Sequence, residues 1–388
     1  MKKYTLLKKD TVKHLGVTLY RVKLCVNLGS IKKGSLGGYI EKEINLSHYG
    51  DAMVSGNAMV YGDAKVSGDA EVSGDAWVYG NAMVYGDAKV SGNAEVSGDA
   101  WVYGNAMVYG NAEVYGNAEV YGDARVSGNA RVYGNAEVSG DAKVYGDAKV
   151  FGDAKVFGDA KVYGDARVSG NARVYGNAEV SGDAKVFGNA EVSGDAKVYG
   201  DTKVYGDTKV YGDAKVFGDA KVYGDAKVYG DAKVYGDAKV FGDARVFGGA
   251  RVFGDAIVSE HLVLVSGVVN EDVSGNKALS VVLRSSLNIV AVDGVFTLYK
   301  RVNKKTYGCY TSCYDSNFMY KDGEVAEINE TVLKSDIRSC AVGLHASTPD
   351  YWAEGDTLII VKIHINDVIT IQEGKVRCRK LLVLGAVE

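Results

Sequence analysis

Proline is almost missing from this chain, with a single residue in 388. That excludes collagen-like and proline-rich linker architectures. Histidine is nearly as scarce: there are five, and none between Tyr49 and Glu260, so that span lacks the commonest general base and metal ligand. Five cysteines, at Cys25, Cys309, Cys313, Cys340 and Cys378, are too few for a disulfide framework in a chain this long. Long apolar runs are absent, because apolar and polar residues alternate almost everywhere, and no membrane span is expected. The opening MKKYTLLKKD carries lysines without an apolar core or small-residue cleavage site, and so does not read as a signal peptide. The cytosol is the expected compartment. A formal net charge of −4 argues against the basic face of a nucleic-acid binder. Neither a membrane nor a nucleic acid is an expected partner.

Glycine and tyrosine are abundant, with 50 and 27 residues. From Asp51 the chain reads DAMVSG, NAMVYG, DAKVSG, and residues 51–260 fall into 35 such hexads without insertion or deletion. A short fixed period marks a solenoid. The first position is Asp or Asn, and the second is Ala, with Thr202 and Thr208 as exceptions. The third varies, the fourth is always Val, the fifth is Ser, Tyr or Phe, and the sixth is Gly, with Gly249 at a first position and Glu260 at the last sixth position as terminal irregularities. Positions two to five have strand alternation, with Ala and Val inward and positions three and five outward. Gly followed by Asp or Asn is a turn, since Gly tolerates positive φ and Asx side chains bond nearby backbone. Three six-residue sides give about 18 residues per turn.

Val54 followed four positions later by Ala58, and Val60 by Ala64, resemble the signature of left-handed hexapeptide-repeat β-helices. The resemblance implies a triangular, left-handed solenoid; a right-handed one of the bactofilin type is the alternative. The expected fold is therefore mostly β: a long parallel β-helix with a small α+β C-terminal domain. The divisions are an N-terminal strand and cap (1–50), the β-helix (51–260), a transition (261–278) and the C-terminal domain (279–388). Many left-handed β-helices are acyltransferases, but those need a catalytic histidine and protruding loops, and this array has neither. Ice-binding solenoids present threonine ladders, and only Thr202 and Thr208 occur here.

Outward residues suggest surfaces. From Asp141 onward nearly every hexad pairs an Asp with a Lys or Arg, as in Asp147/Lys149, Asp153/Lys155 and Asp231/Lys233, which predicts a solvated, self-cancelling face. The first 15 hexads are net acidic, too sparsely charged for a duplex mimic. Aromatic fifth positions cluster at Tyr205, Tyr211 and Phe217 within one turn, and again at Tyr235, Phe241 and Phe247. Cross-strand packing is the default reading; a self-association strip is the alternative, allowing a homo-oligomer through these rings or through the C-terminal domain. Trp77 and Trp101, with Met53, Met59, Met83 and Met107, make the early turns more apolar and are read as a docking patch.

Ahead of the array, Val17–Val26 alternates like a strand. Ile31, Leu36, Ile40, Ile44 and Leu46 are expected to begin the hydrophobic column and cap the first turn against open-edge pairing. Lys33, Gly34, Leu36, Gly37, Gly38, Tyr39, Ile40 and Glu41, followed by Asn45, Leu46 and Ser47, resemble the leader of hexapeptide-repeat proteins of phages and prophages. The glycines do not sit in the strand–loop–helix context of a phosphate cradle.

Beyond about Leu279 the pattern becomes globular. Thr357–Ile371 and Val376–Val387 read as strands. A short helix is expected between Ser347 and Gly355, with Ser347 or Thr348 as N-cap and Pro349 first. Phe296, Tyr299 and Lys300, then Cys340, then Gly343, Leu344 and His345, then Asp367, Val368 and Ile369, and finally Lys375, Arg377, Cys378 and Arg379, resemble the C-terminal part of the phage rapid-lysis B protein and the domain ending many pentapeptide-repeat proteins. Ala346 departs from that pattern. The family's resemblance implies a phage setting rather than a chemistry. Cys340, His345 and Cys378 are the one grouping that would offer a zinc site or a Cys–His nucleophile, yet no CxxC pair accompanies them. The strand–GLH–helix–strand order resembles ADP-ribosyltransferase-like folds, without counterparts for their NAD-binding histidine and catalytic glutamate. No cofactor or metal is expected. The leading expectation is a non-enzymatic phage accessory protein, a rigid rod displaying a C-terminal module that binds a host or phage protein, with inhibition of a host defence protein as a candidate task. An enzymatic C-terminal domain and a purely structural self-assembly are the rivals.

Overall fold

The computed structural model of the protein describes residues 2–259, 263–264, 268–270, 276–328, 343–351, 353–372 and 374–387. The chain divides into two compact units, Met1–Gly212 and Asp213–Glu388. Parallel β-solenoid occurs in both, about 12 turns in all.

The hexad accounts for the solenoid bond by bond. Val72 lies in parallel register with Val54 before it and Val90 after it, each eighteen residues away. Glu71, Ser73 and Asp75 donate their amides to the carbonyls of Ala88, Val90 and Gly92 in the next turn, at 2.9, 2.9 and 2.8 Å. The third and fifth positions bond to the following turn in this way along the array, and the first position does so mainly in the early turns, which satisfies backbone that would otherwise be buried unpaired. The inward Ala and Val side chains are fully buried, and each buried Val contributes about 1.5–3 kcal/mol. Most strands are only two residues long, such as Lys89–Val90, not the four the alternation suggests. Ala and the fifth residue instead form the corners flanking each turn.

Two constraints fix glycine at the sixth position. At Gly86 φ is +72°, a region that costs an L-residue about 1–2 kcal/mol. A Cβ there would also sit 3.0 Å from the Gly104 amide nitrogen. The glycines stack on one another with no room for a methyl group. The two threonines at the second position are buried as the alanines are, and their hydroxyls donate to the carbonyls of Tyr199 and Tyr205 at 2.8 Å.

The N-terminal cap comprises β1 (Tyr4–His14), β2 (Val17–Leu24) and β3 (Leu36–Ile40). The first two pair antiparallel, and β3 then adds in parallel to Met59–Val60 through Tyr39↔Met59 and Ile40↔Val60. Strand β1 has no counterpart in the sequence reading. Gly37 and Gly38 lie against the first turn: a Cβ on either would fall 2.6 Å from the carbonyl oxygen of Val54 or Ala58. Close packing, with no phosphate cradle, therefore accounts for both. Of the residues expected to start the hydrophobic column, Ile40 and Leu46 are buried, but Leu36 and Ile44 are 51% and 57% exposed. Polar groups complete the cap. Lys3 Nζ donates to the Gly50 and Ala52 carbonyls, Tyr4 OH to those of Glu43 and Leu46, and Asn45 Nδ2 to those of Gly62 and Ala64.

In the second unit the ladder continues past Ile257–Val258: Val263–Leu264 pairs with Arg245–Val246, and Val268–Val269 with Arg251–Val252. Helix α1 (Asn276–Leu287) follows, burying Val282, Leu283 and Leu287. A small antiparallel sheet completes the unit. Its central pair is β4 (Val295–Thr306) with β9 (Thr357–His364), in register from Val295↔His364 to Val302↔Thr357. Strands β5 (Cys309–Thr311) and β6 (Met319–Lys321) extend β4 as a meander. Strand β7 (Val325–Glu327) pairs with β12 (Lys380–Ala386), which also flanks β9. Strands β8 (Leu344–Ser347), β10 (Val368–Gln372) and β11 (Lys375–Cys378) form the other side, with β11 in the middle. No helix follows Ser347 among the described residues. Residues 344–347 are strand, and Tyr351 donates to the Thr348 carbonyl to close a turn at Pro349.

Candidate functional site

Part of each outward ladder of the solenoid is satisfied by its own neighbours. First-position side chains bond along the ladder: Asn129 Nδ2 donates to Asp147 Oδ1, and Asn135 Nδ2 to Asp153 Oδ1, each at 2.8 Å. Third-position charges pair across turns, as in Lys155–Glu137 at 2.7 Å and Lys161–Glu179–Lys197 at 3.3 and 3.6 Å. Among the described residues, Asp147 with Lys149, Asp153 with Lys155 and Asp231 with Lys233 form no ion pair. Eighteen-residue stacking places like hexad positions over each other, so Asp meets Asn or Asp, while a third-position Lys or Arg meets Glu in some turns and another cation in others, as in Lys149 over Arg167 and Lys215 over Lys233.

The aromatic residues obey the same rule. Tyr205 stacks on Phe187, Phe241 on Tyr223 and Phe247 on Tyr229, with centroids 4.8, 4.8 and 4.6 Å apart. Partners lie eighteen residues apart, in successive turns of one face, not within one turn. Tyr205 and Tyr211 are half-buried, as are Phe241 and Phe247. The proposed docking patch is likewise divided. Trp77 stands in line with Met59, Trp101 with Met83, and Met107 with Lys89 and Arg125. These are three different faces, and the tryptophans share none. Trp77 packs instead against His14 of the cap, at 4.4 Å.

A cavity of about 470 Å³ lies in the C-terminal sheet, lined by Lys300 and Arg301 from β4, Tyr320 from β6, and Gly343, Leu344 and His345 at β8, with Cys313, Phe318 and Glu354 from the loops. Lys300 is 8% exposed. Its Nζ donates to the His345 carbonyl at 2.9 Å and lies 5.3 Å from the centre of the Tyr320 ring. Burial pulls the Lys300 ammonium down to about 8, against the opposing influence of Cys378 and Cys313. Burial also pushes the Tyr320 phenol and the Cys313 thiol up. Cys378 is fully buried, and burial pushes its thiol up to about 12 despite Lys300. It is therefore a protonated core thiol at neutral pH, the opposite of an activated nucleophile.

The sequence motif converges only in part. Gly343 and His345 do line the cavity with Lys300. Tyr299, paired with Ile360 and Ser347, does not. Arg377 is buried behind Gly343, where a Cβ would come within 2.6 Å of its Cγ. Glycine there is what lets the arginine pass. Cys340 lies outside the described residues. His345 sits opposite Arg377, while Cys378 sits opposite Leu344, so strand alternation puts His345 and Cys378 on opposite faces. That geometry separates His345 from Cys378; a pairing of His345 with Cys340 falls outside the described residues. Among the described residues no group of three His, Cys, Asp or Glu could hold a metal ion. Sequence reasoning missed Arg301, Phe318 and Tyr320, which no spacing rule ties to a strand three hundred residues into the chain; their proximity follows only from the β4–β5–β6 meander.

Residues 76–92, 100–116, 118–134, 124–140, 160–176 and 166–182 match the family model described as the YdcK β-solenoid repeat. These segments cover less than half of the chain. With the ladder described above, they define the protein as a β-solenoid repeat protein. No curated protein matches the chain. Among the described residues no helix is long and apolar enough to cross a membrane.

Proposed function

We propose that the protein is a non-enzymatic accessory protein of the phage type, in which the β-solenoid is a scaffold and the C-terminal sheet is a recognition module for a host or phage protein. Inhibition of a host defence protein in the cytoplasm is its proposed task. One observation carries the reading. Many of the solenoid's outward Asn, Asp and Glu side chains bond to the adjacent turns, and its hexads contain no histidine and no inserted loop. The irregular surface and the cavity belong to the C-terminal sheet. Self-assembly through the rings has less support, because each ring already covers the next.

The test is expression in bacterial cells that carry defence systems, scored by plaque formation. A rise in plating efficiency against at least one system supports the reading, and it should survive deletion of one full turn, residues 147–164. If no system loses potency, counter-defence is rejected.

A further inference from the structure

Lys300 is an ionisable group in an unusual position. It is 8% exposed, yet among the described residues no carboxylate lies within ion-pairing distance of its Nζ. A buried ammonium without a counter-ion costs several kcal/mol, as an order of magnitude. Structural lysines usually avoid this by reaching water or pairing with an acid. Three N–H bonds are available to Lys300, and among the described residues one protein acceptor, the His345 carbonyl, is supplied. The neighbouring Arg301 repeats the pattern: its Nη1 donates to the Gly355 carbonyl at 3.3 Å, while its buried Nε has no hydrogen-bond partner. Both residues line the same cavity, together with the rings of Phe318, Tyr314 and Tyr320. Cavities of about 300–1,000 Å³ hold small organic molecules, and this one, at about 470 Å³, falls in that range.

We propose that this cavity is a binding site for a small aromatic carboxylate, whose charged end is taken by Lys300 Nζ and whose ring lies against Phe318 and Tyr320. The carboxylate supplies the counter-ion that the fold withholds. A monoanion suits the site better than a phosphate, because Asp315 and Glu354 also line it and their charges offset part of the two cations. Gly355 is part of the construction. Its φ is +112°, and a Cβ would stand 2.9 Å from Cys313 Sγ and 3.0 Å from the Val302 amide, so the loop can close on β4 only through glycine. The inference reaches beyond the protein-binding reading and stands without it.

The experiment is a calorimetric titration of the full chain with 2-naphthoate, its neutral analogue 2-naphthamide, and 2-naphthyl phosphate. Saturable 2-naphthoate binding is expected, at least tenfold tighter than that of the amide. Lys300→Met should abolish that tenfold preference and leave amide binding in place. On wild-type protein, 2-naphthoate affinity should be level below pH 8 and decline above it, as the lysine loses its proton while the ligand stays ionised. This profile needs no variant, so it decides the matter even if Lys300→Met does not fold. Equal affinity for acid and amide, a flat pH profile, or no binding of either would overturn the proposal. Tighter binding of the phosphate would overturn the choice of a monoanion.

Discussion

The side-chain amine of Lys3 donates a 2.7 Å hydrogen bond to the carbonyl oxygen of Ala52, the first inward alanine of the array. A 3.2 Å bond to the Gly50 carbonyl accompanies it. Burial lowers the pKa of Lys3, while Asp51 and Asp69 hold it up. The lysine thereby occupies acceptors that a preceding solenoid turn would otherwise claim. Lys3→Met should leave buried carbonyls unsatisfied, at about 1–3 kcal/mol, and open the edge to pairing. Hydrogen exchange should speed up in Tyr4–His14, and light scattering should report concentration-dependent association. A monomer with unchanged exchange would show that Lys3 is dispensable to the cap.

Glycine at the sixth position is predicted to be far less replaceable than the ring before it. Gly152→Ala forces a methyl group into a φ of +71° and to 3.0 Å from the Gly170 amide, which should cost at least about 1–2 kcal/mol. Phe151→Ser loses one 5.0 Å stack on Tyr133, about 0.5–1.5 kcal/mol. Urea denaturation of the two variants should rank them in that order.

Glu179 is held between Lys161 and Lys197. Burial works against its charge, but the two lysines prevail and keep its pKa below the usual glutamate value. A depressed carboxylate stabilises the fold above its unfolded pKa and loses that contribution as pH falls through the folded value. Glu179→Gln should therefore cost at most about 1 kcal/mol at pH 7, with the difference shrinking in high salt and below pH 4.5, the ordinary value for the group. Thermal melts at two ionic strengths would check both.

Lys300 should give the opposite signature. Its pKa falls from 10.5 to about 8 on folding, so between those values the unfolded chain binds more protons and stability rises with pH. Relative to Lys300→Met, the wild-type chain should gain up to about 3 kcal/mol from pH 8 to 10.5. Cys378, raised from 9 to about 12, works the other way above pH 9, and more strongly in Lys300→Met, where the amine that lowers its pKa is gone, so the difference above pH 9 carries both effects. A pH-independent difference would mean that Lys300 is solvated.

The hexad made the solenoid legible because one rule repeats: Ala and Val inward, Gly at the turn. It did not reveal which outward residues meet. Within a hexad Asp147 and Lys149 look paired, but backbone bonding sets the contact at eighteen residues, and that period assigns Trp77 and Trp101 to separate faces. The same arithmetic was present in the sequence once three sides were inferred. The cavity was a different case. Lys300, Gly343 and His345 stood in one motif, but Arg301, Phe318 and Tyr320 come together with them through antiparallel pairings that short, non-repeating strands do not announce. The helix expected at Pro349 gave way because Leu344–Ser347 pairs with Lys375–Cys378, and that ladder outweighs a local N-cap preference.

The most direct test of the scaffold-and-module account is cross-linking mass spectrometry on the full chain in its host cell. Lysines sample both parts, with exposed ones at Lys65, Lys89, Lys143, Lys197 and Lys209 in the solenoid and at Lys304, Lys305, Lys321 and Lys362 in the C-terminal sheet. The account predicts cross-links to a single foreign protein from the C-terminal lysines. Cross-links confined to the solenoid lysines, or linking only copies of this chain through them, would contradict it.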